Sequence, residues 1–300
     1  DERVSKSRLF KTLVKIHPIL IYPFALIRYR KIYNIIKLEK FDRILIIKSQ
    51  SIPKYFLKKI NKKYSDTSLI CLYLWDSLRN IKGIKSKLKY FHKVYTFDRN
   101  DAMENQKLKF LPLFFSDMFI NTTDQDSNYQ YDLLFVGTVH SDRYELLEEI
   151  KQISLNKQLR TKFIYYFPSK IIFTMLKLSK IKFRNADHRD FHFQAISKND
   201  VKELIMDSKV IVDINHPKQV GLTMRTIESI GMRRKLITTN SDILNYDFFN
   251  NNNVRILDRN KIDIDLKFIG SNYKNVNEDV YNKYSLSSWI SQILEVKDEK

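Results

Sequence analysis

The sequence predicts an α/β protein made of two doubly wound, Rossmann-like domains. Short apolar runs of strand length alternate with amphipathic helical segments along most of the 300-residue chain, a pattern typical of βαβ units and parallel sheets. One polar stretch without periodicity, 121–128, interrupts this alternation and indicates a linker. We therefore predict an N-terminal domain over 1–125 and a C-terminal domain over 126–300.

The first forty residues alternate basic clusters with apolar and aromatic residues. A basic amphipathic segment of this kind can lie on an anionic membrane interface. The alternative is a helix that packs on its domain and exposes a basic face. The longest apolar stretch, 16–27, covers 12 residues with two prolines, whereas a transmembrane helix needs about 20. We therefore expect a soluble protein or one bound peripherally to a membrane.

Three apolar runs predict the strands of the first domain. They cover 42–48, 68–75 and 93–97, and a basic helix to about Lys63 follows the first of them. The single cysteine, Cys71, falls in the second run, where we predict a buried strand residue. One cysteine excludes an intrachain disulfide and fits a reducing compartment, so we expect a cytoplasmic protein.

Two aspartates directly follow predicted strands of the first domain. Asp76 comes after the second strand and Asp98 after the third. A carboxylate at that edge of a parallel sheet could accept a proton from a substrate hydroxyl. Each aspartate could equally cap the helix that follows it. Both are candidate catalytic residues, and both interpretations stay open at this point.

The second domain opens with a strand, 132–136, then Gly137 and a polar loop into a helix over 142–157. A turn from strand to helix suits a phosphate group, because the helix N-terminus favours anions. Gly137, His140 in the loop and Arg143 in the first helical turn are therefore candidate ligand contacts. The turn has one glycine, not the three of the dinucleotide-binding fingerprint.

The most informative stretch, 213–240, is typical of a strand, a loop, a helix and a second strand. Thr223 is the predicted N-cap of the helix, and Gly231 is its predicted stop signal. The second strand is predicted over 235–239. Parallel βαβ sheets bind ligands outside the carboxyl ends of their strands, so the loop before Thr223 should face a ligand.

The polar residues of this stretch gather where such a ligand would lie. Lys218, Gln219, Thr223 and Arg225 occupy the loop and the helix N-terminus, where free N–H groups and the helix dipole favour an anion. Glu228, one turn further on, could accept hydrogen bonds from a ribose diol. Together they predict a nucleotide diphosphate site. The alternative is a solvated glutamate and a surface arginine.

Three parts of the chain resemble bacterial GT-B glycosyltransferases of lipopolysaccharide, capsule and exopolysaccharide biosynthesis. The resemblance spans about residues 40–245. The segments that carry it are Gly-Leu-Thr-Met-Arg-Thr-Ile-Glu-Ser-Ile-Gly at 221–231 with Lys-Leu-Ile-Thr-Thr-Asn at 235–240, then 72–77 with 94–98, and 131–137 with Arg143.

This resemblance implies two domains facing a cleft, with the donor nucleotide on the second domain, the acceptor on the first, and a last helix that crosses back. It implies that Glu228 holds the donor ribose and that Arg225 or Lys218 holds the diphosphate. Position 220 is Val, which departs from the two-glutamate pattern of retaining enzymes, so the stereochemistry stays open. On the acceptor side we favour Asp76 as the base, because Trp75 beside it could give an apolar face to a sugar ring.

The expected activity is transfer of a sugar from a nucleotide sugar to a hydroxyl of a cell-surface glycan or lipid-linked acceptor. The net charge of +19 attracts polyanions, and the expected partners are the nucleotide-sugar donor, a glycan or glycolipid acceptor and an anionic membrane surface. No nucleic-acid-binding motif is present. We predict no cofactor beyond the nucleotide sugar as substrate, and no metal, since the pair His188 and His192 lacks further ligands. The alternative is a non-catalytic basic module that binds anionic lipid or nucleic acid.

Overall fold

A computed structural model describes residues 13, 17–121, 128–139, 141–167, 169–179 and 186–295. Most of the predicted linker, 122–127, and the candidate residue His140 lie outside the described residues. The chain divides into two compact units. The first comprises residues 1–112 and 289–300, and the second comprises residues 113–288.

The first unit is built on a parallel sheet whose four described strands run in chain order, β1-β2-β3-β4. The three predicted strands are confirmed, each to within one residue of its expected ends. All residues of the central strand β2 except the first are buried, as expected of a strand covered on both faces. The elements are β1 (Arg43–Ile47), β2 (Leu69–Leu74), β3 (Lys93–Thr96) and β4 (Leu108–Phe110), with helices α1 (Tyr22–Ile36), α2 (Lys54–Tyr64) and α3 (Arg99–Glu104).

The second unit is built on a six-stranded parallel sheet of order β10-β9-β8-β5-β6-β7. The strand order reverses between β5 and β8, which makes this sheet doubly wound. The strands are β5 (Tyr131–Thr138), β6 (Thr161–Tyr166), β7 (Phe191–His192), β8 (Ser208–Asp213), β9 (Lys235–Thr238) and β10 (Val254–Ile256). The helices are α4 (Arg143–Asn156), α5 (Lys170–Ser179), α6 (Lys198–Met206), α7 (Met224–Gly231), α8 (Leu266–Gly270) and α9 (Glu278–Lys283).

An aromatic cluster in the core of the second unit fixes the start of α4. The ring of Tyr144 lies 5.6 Å from that of Tyr165 and 5.5 Å from that of Phe191, and Phe191 lies 4.4 Å from Phe173. Tilted and edge-on pairs at such distances add about 0.5–1.5 kcal/mol each beyond the area that they bury. Because Arg143 directly precedes Tyr144, the cluster also fixes the backbone of that candidate residue.

The last helix, α10 (Leu286–Leu294), leaves the second unit, and its residues from position 289 onward belong to the first. Trp289 packs its ring edge-on against Tyr73 of β2, with centroids 4.8 Å apart. The thiol of Cys71 donates to the carbonyl oxygen of Ile293 over 3.3 Å. Cys71 is fully buried in β2, which confirms its predicted place. The core of the first unit therefore includes residues from both sides of the second unit in the sequence.

The left-handed residue that follows α7 is Arg233, with φ at 50°, and not Gly231 as predicted. Gly231 is the last residue of the helix itself. A Cβ at this position would lie 2.4 Å from the carbonyl oxygen of Phe119 and 2.7 Å from Cγ of Phe115. Glycine is needed here because the helix passes too close to another segment for any side chain.

Candidate functional site

Arg143 lies at the point where the strand order of the second sheet reverses, which is where ligands bind in such sheets. Its Nη1 donates to the carbonyl oxygen of Thr138 at the end of β5 over 2.6 Å, and its Nη2 donates to that of Ile214 just after β8. The side chain is buried, and burial lowers the pKa of its guanidinium. Arg143 thus joins the ends of the two strands, and its partners there are backbone carbonyls.

Gly137 lies beside this guanidinium, one residue before the end of β5. A Cβ added to Gly137 would lie 3.7 Å from Nη1 of Arg143 and 3.1 Å from Cζ of Phe135. The second distance is tighter than ordinary van der Waals contact, so a side chain would displace the ring. The small residue at position 137 therefore leaves room for the ring of Phe135.

Arg259 is a second arginine at this edge, and no motif in the sequence marks it as a site residue. Its Nη1 bonds to the carboxylate of Asp142 over 2.7 Å, and its Nη2 donates to the side chains of Asn215 and Thr239 over 2.8 and 3.0 Å. Burial alone would raise the pKa of Asp142, but the hydrogen bond and charge of Arg259 outweigh it and hold the pKa below its ordinary value. Arg259 therefore connects the strand ends of β8 and β9 to the start of α4.

The N-terminus of α7 is fixed by the last residue of β8. Thr223 is the N-cap, as predicted, and accepts a hydrogen bond from the backbone N–H of Thr226 over 3.2 Å. The hydroxyl groups of Thr223 and Thr226 both donate to Oδ2 of Asp213, over 2.6 and 2.7 Å. Asp213 is buried, so two neutral donors satisfy a buried carboxylate oxygen and anchor the first turn of the helix.

The loop between β8 and α7 is held by side-chain amides. Asn215 donates to the carbonyl oxygen of Gln219 over 2.9 Å, and Asn240 donates to that of Val220 over 2.8 Å. The side-chain amide of Gln219 turns back to the carbonyl oxygen of Gly221 over 3.1 Å. Lys218 is exposed at the tip of this loop, so its ammonium group is accessible to an anion.

Arg225 and Glu228 form an ion pair on α7, with Nη1 and Oε2 2.7 Å apart. Their side chains are only 18% and 13% exposed. Burial raises the pKa of the Glu228 carboxyl more than the charge of Arg225 lowers it. Nε of Arg225 is buried and lacks a hydrogen-bond partner within the described part of the chain. The two residues that the sequence singled out for phosphate and ribose therefore lie together, one turn into the helix.

In the first unit, the loop after β1 has an unusual backbone and an unexpected anchor. Lys48 and Ser49 both have positive φ, at 70° and 57°, a conformation that disfavours residues with a Cβ. Lys87 is buried, and its ammonium donates to the carbonyl oxygens of Ser49, Gln50 and Ile52 over 2.6, 3.1 and 2.7 Å. The lysine thereby holds the loop in its strained conformation at the carboxyl end of β1.

Asp76 follows β2 at the same edge of the first sheet. Its Oδ1 accepts hydrogen bonds from the backbone N–H of Ser77 over 3.0 Å and from the amide of Asn80 over 2.8 Å. Its Oδ2 lies 3.5 Å from Nζ of Lys48. The side chain is 36% exposed, so the carboxylate is positioned by neighbours and still accessible from outside.

Asp98 has a different environment, because it caps α3. Its Oδ1 accepts from the backbone N–H groups of Asn100 and Asp101, and its Oδ2 accepts from the hydroxyl of Ser77 over 2.5 Å. The residue is 3% exposed. Of the two interpretations that the sequence left open for Asp98, the structure shows the helix cap.

Helix α1 carries apolar residues on two faces. One face packs into the core through the buried residues Ala25 and Tyr29. The other is exposed, and we call it the exposed stripe. It includes one residue from the 3-10 turn before α1 and one from the turn after it. Its residues, spaced three or four apart except across Lys31, are Leu20 (46% exposed), Phe24 (54%), Ile27 (57%), Ile35 (73%) and Leu38 (84%).

The exposed stripe lies in the most basic part of the first unit. Between positions 17 and 65 the chain has twelve lysines and arginines and two acidic residues. Lys31 and Lys37 are exposed beside the stripe, and Lys54, Lys58 and Lys62 are exposed on α2, which packs against α1. None of the helices in the described ranges has the length and apolar character needed to cross a bilayer.

Comparison with known proteins identifies the fold. No family model and no curated protein matches the chain. A glycosyltransferase from Rickettsia africae matches 91% of this chain and 80% of its own, with a TM-score of 0.56 at 14% identity. HepE from Anabaena, in complex with UDP and glucose, matches 96% of this chain and 88% of its own, with a TM-score of 0.56 at 10% identity. An alpha-glucosyltransferase, AGT, in complex with UDP matches 89% and 79%, with a TM-score of 0.53 at 10% identity.

The chain has the GT-B fold. Its two Rossmann-like parallel sheets confirm the predicted fold class, and the strand order that marks a doubly wound sheet is found in the second of them. Within this GT-B fold, the second unit brings Gly137 and Arg143 to the ends of β5 and β8, and places Thr223, Arg225 and Glu228 on the first turns of α7.

No group of three or more His, Cys, Asp or Glu side chains is placed to share a metal ion among the residues that the structure describes. His188 lies in a short 3-10 turn and His192 lies on β7. The helical i, i+4 geometry that their spacing could have offered to a metal is therefore not formed in this GT-B fold.

Proposed function

We propose that this protein transfers a sugar from a nucleotide sugar to a hydroxyl group of a lipid-linked glycan at an anionic membrane surface. The observation that carries the proposal is the half-buried pair of Arg225 and Glu228 on α7. This helix belongs to the unit that contains the doubly wound sheet, in a protein with the GT-B fold. Two proteins of similar fold hold UDP in their structures, HepE and the alpha-glucosyltransferase AGT, which supports a nucleotide diphosphate as the ligand.

The diphosphate would bind at the loop before α7. The helix dipole and the accessible ammonium group of Lys218 favour negative charge there, and Arg225 adds a second cation one residue into the helix. Positive groups can stabilise a departing diphosphate directly, as its charge develops in the transition state. The fixed N-cap of Thr223 on Asp213 would keep this anion site rigid.

The ribose would bind to Glu228. A carboxylate can accept hydrogen bonds from both hydroxyls of a diol, and the partial burial of Glu228 makes such bonds stronger than they are in water. Arg225 would orient the carboxylate through the existing bond. On the acceptor side, Asp76 is the proposed base, because it is accessible whereas Asp98 is buried as a helix cap.

Replacing Glu228 with Gln is expected to weaken binding of the cognate nucleotide about tenfold. A hydrogen bond to a charged group contributes about 1.5–3 kcal/mol, glutamine keeps one acceptor oxygen, and 1.4 kcal/mol corresponds to tenfold in affinity. The measurement is titration calorimetry after a thermal-shift screen with UDP, GDP, ADP, dTDP and CMP. A nucleotide at 100 times its Kd should stabilise the folded protein by about 2.7 kcal/mol, which identifies the cognate base.

The matched control is Glu149→Gln, an exposed glutamate on α4, which should leave affinity unchanged. The wild-type affinity should also fall in acid, because protonation removes an acceptor. Since burial raises the pKa of Glu228, this loss should begin at a higher pH than for an ordinary glutamate, and it should be absent in the Gln variant. Equal affinity in both proteins would remove Glu228 from the site. Absence of any nucleotide binding would favour the non-catalytic binding module.

Ile35→Gln is expected to lower binding to anionic vesicles about tenfold. The exposed stripe would enter the headgroup region while the surrounding lysines neutralise lipid charge, and burying a side chain of this size contributes about 1.5–3 kcal/mol when complete. The measurement is co-sedimentation with phosphatidylcholine vesicles that contain or lack phosphatidylglycerol. Binding should need the anionic lipid and should decrease at high salt, because salt screens surface charges.

Leu155→Gln is the control for this test, because Leu155 is 68% exposed on α4 of the second unit and outside the stripe. It should bind vesicles as the wild type does. Equal binding of the wild type to neutral and anionic vesicles, or an unchanged Ile35→Gln variant, would contradict docking through the stripe.

A further inference from the structure

The second unit has a cavity at the amino edge of its sheet, opposite the strand ends that carry the proposed donor site. Its volume is about 160 Å³. A single water molecule needs about 10–15 Å³ of such accessible space, so the cavity has room for a phosphate group and the first atoms of its ester. The residues that line it include Tyr129, Lys209, Arg233, Lys235, Ser271 and Tyr273.

The sheet topology brings these residues together from distant parts of the sequence. β5, β8 and β9 are neighbours in the sheet, and each contributes a residue at or near its amino end. Tyr129 precedes β5, Lys209 is the second residue of β8, and Lys235 begins β9, paired in register with Val210. The left-handed turn at Arg233 directs the chain into β9 beside them.

Among the residues that the structure describes, three cations and no carboxylate line this cavity. Lys235 is buried, and its ammonium donates to the carbonyl oxygen of Phe268 and to the carbonyl and hydroxyl oxygens of Ser271. Lys209 donates to the carbonyl oxygen of Gly270 over 3.1 Å. Glu278 pairs with Arg233 over 2.6 Å and so compensates one of these three charges, and Asp265 caps α8.

A structural role explains why Lys235 is buried at this position. Its bonds to the last carbonyls of α8 are those of a basic residue at a helix C-terminus. The same role does not require Lys209 at the same cavity, where its charge repels that of Lys235. Burial and then the charge of Lys209 lower the pKa of Lys235 to about 8. An anion in the cavity would relieve this repulsion.

We infer that this cavity is a second anion site, which binds the phosphate group of a small phosphorylated molecule between Lys209, Arg233 and the two tyrosines. Lys209 has further N–H groups to donate, and a lysine ammonium and an arginine guanidinium are the side chains that bind phosphate in proteins. The rings of Tyr129 and Tyr273 at the rim offer an apolar surface to the rest of an ester.

This site is separate from the donor site. β8 spans six residues between the two edges, which at about 3.3 Å per residue places them roughly 17 Å apart. A ligand at the amino edge would therefore bind at the same time as a nucleotide at the carboxyl edge. The inference does not depend on the proposed sugar transfer.

The test is titration calorimetry of the full chain with inorganic phosphate and with glucose 1-phosphate. Both should bind the wild type, and Lys209→Met should weaken both about tenfold or more, since it removes a charged donor. Lys209→Arg should retain binding. Lys151→Met, which removes a positive charge from α4, should bind both probes as the wild type does. Tighter binding of glucose 1-phosphate would support an ester ligand, and equal binding would support free phosphate.

Unfolding midpoints measured without ligand will show whether Lys209→Met is folded. If it is not folded, Lys209→Arg still tests the inference, because this variant keeps the charge and should keep phosphate binding. Glu228→Gln should leave phosphate binding unchanged even if it weakens nucleotide binding. The inference is overturned if neither probe binds the wild type, if Lys209→Met binds as tightly, or if only Glu228→Gln loses phosphate binding, which would place the anion at the donor site.

Discussion

Asp76→Asn is expected to lower the rate of sugar transfer by about 10²–10⁴-fold, the usual contribution of a general base. The side chains have the same shape, so asparagine can still accept from the backbone N–H of Ser77. The lost ion pair with Lys48 is about one-third exposed on both sides and contributes little to stability. Donor affinity should barely change, because the residues proposed to bind the donor belong to the second unit. Single-turnover transfer and nucleotide affinity, measured on the same variant, separate the two effects.

Asp66→Asn is the matched control for this variant. Asp66 is exposed near the amino end of β2, whereas Asp76 follows the carboxyl end of the same strand. Its turnover should equal that of the wild type. If Asp76→Asn also transfers sugar within a few-fold of the wild type, Asp76 is not the base. A loss of activity that parallels a lower unfolding midpoint would instead assign Asp76 a structural role.

Lys87→Met is expected to destabilise the first unit by about 3 kcal/mol or more. Methionine fills a similar volume, but three carbonyl oxygens would lose their donor, and each buried unsatisfied group costs about 1–3 kcal/mol. The loop that they hold contains two left-handed residues, Lys48 and Ser49, and each of these carries a conformational cost of its own. The measurement is urea unfolding, with the free energy extrapolated to water.

Lys85→Met is the control, because Lys85 is exposed two residues away on the same 3-10 turn. It should unfold within about 0.5 kcal/mol of the wild type, as surface substitutions usually do. Lys48, in the loop that Lys87 holds, also contacts Asp76. Release of this loop in Lys87→Met should therefore lower the rate of sugar transfer by the protein that stays folded. A fully stable Lys87→Met variant would show that water replaces the lysine without loss.

The fold was predictable because its signals are local. Apolar runs of four to eight residues revealed the longer strands, and hydroxyl N-caps such as Thr223 marked helix starts. β4, β7 and β10 were missed because two or three residues are too few to show a period. The sequence could suggest a helix-capping role for Asp98 but could not decide between capping and catalysis. A carboxylate after a strand looks the same in sequence whether it is buried or exposed.

The site residues that the sequence missed depend on contacts far along the chain. Lys87 stands among exposed lysines in Lys-Ser-Lys-Leu-Lys, and its carbonyl partner Ser49 is 38 residues away. Arg259 lies in a polar turn and bonds to Asp142, 117 residues away. Arg143 was correctly expected in the first turn of α4, but its partners are backbone carbonyls, and a carbonyl cannot be recognised from residue type. Whether a charged group is buried depends on the topology of the fold, and a local sequence pattern does not reveal that topology.

The return of α10 to the first unit affects how the chain can acquire its structure during synthesis. Tyr73 and Cys71 emerge early from the ribosome, yet their partners Trp289 and Ile293 are made only after the whole second unit; the bond from Cys71 to Ile293 spans 222 positions. Contacts between residues so far apart form slowly. The second unit is continuous in sequence and can complete its core first. The first sheet must meanwhile stay partly uncovered, and during that interval the nascent protein is most vulnerable to aggregation.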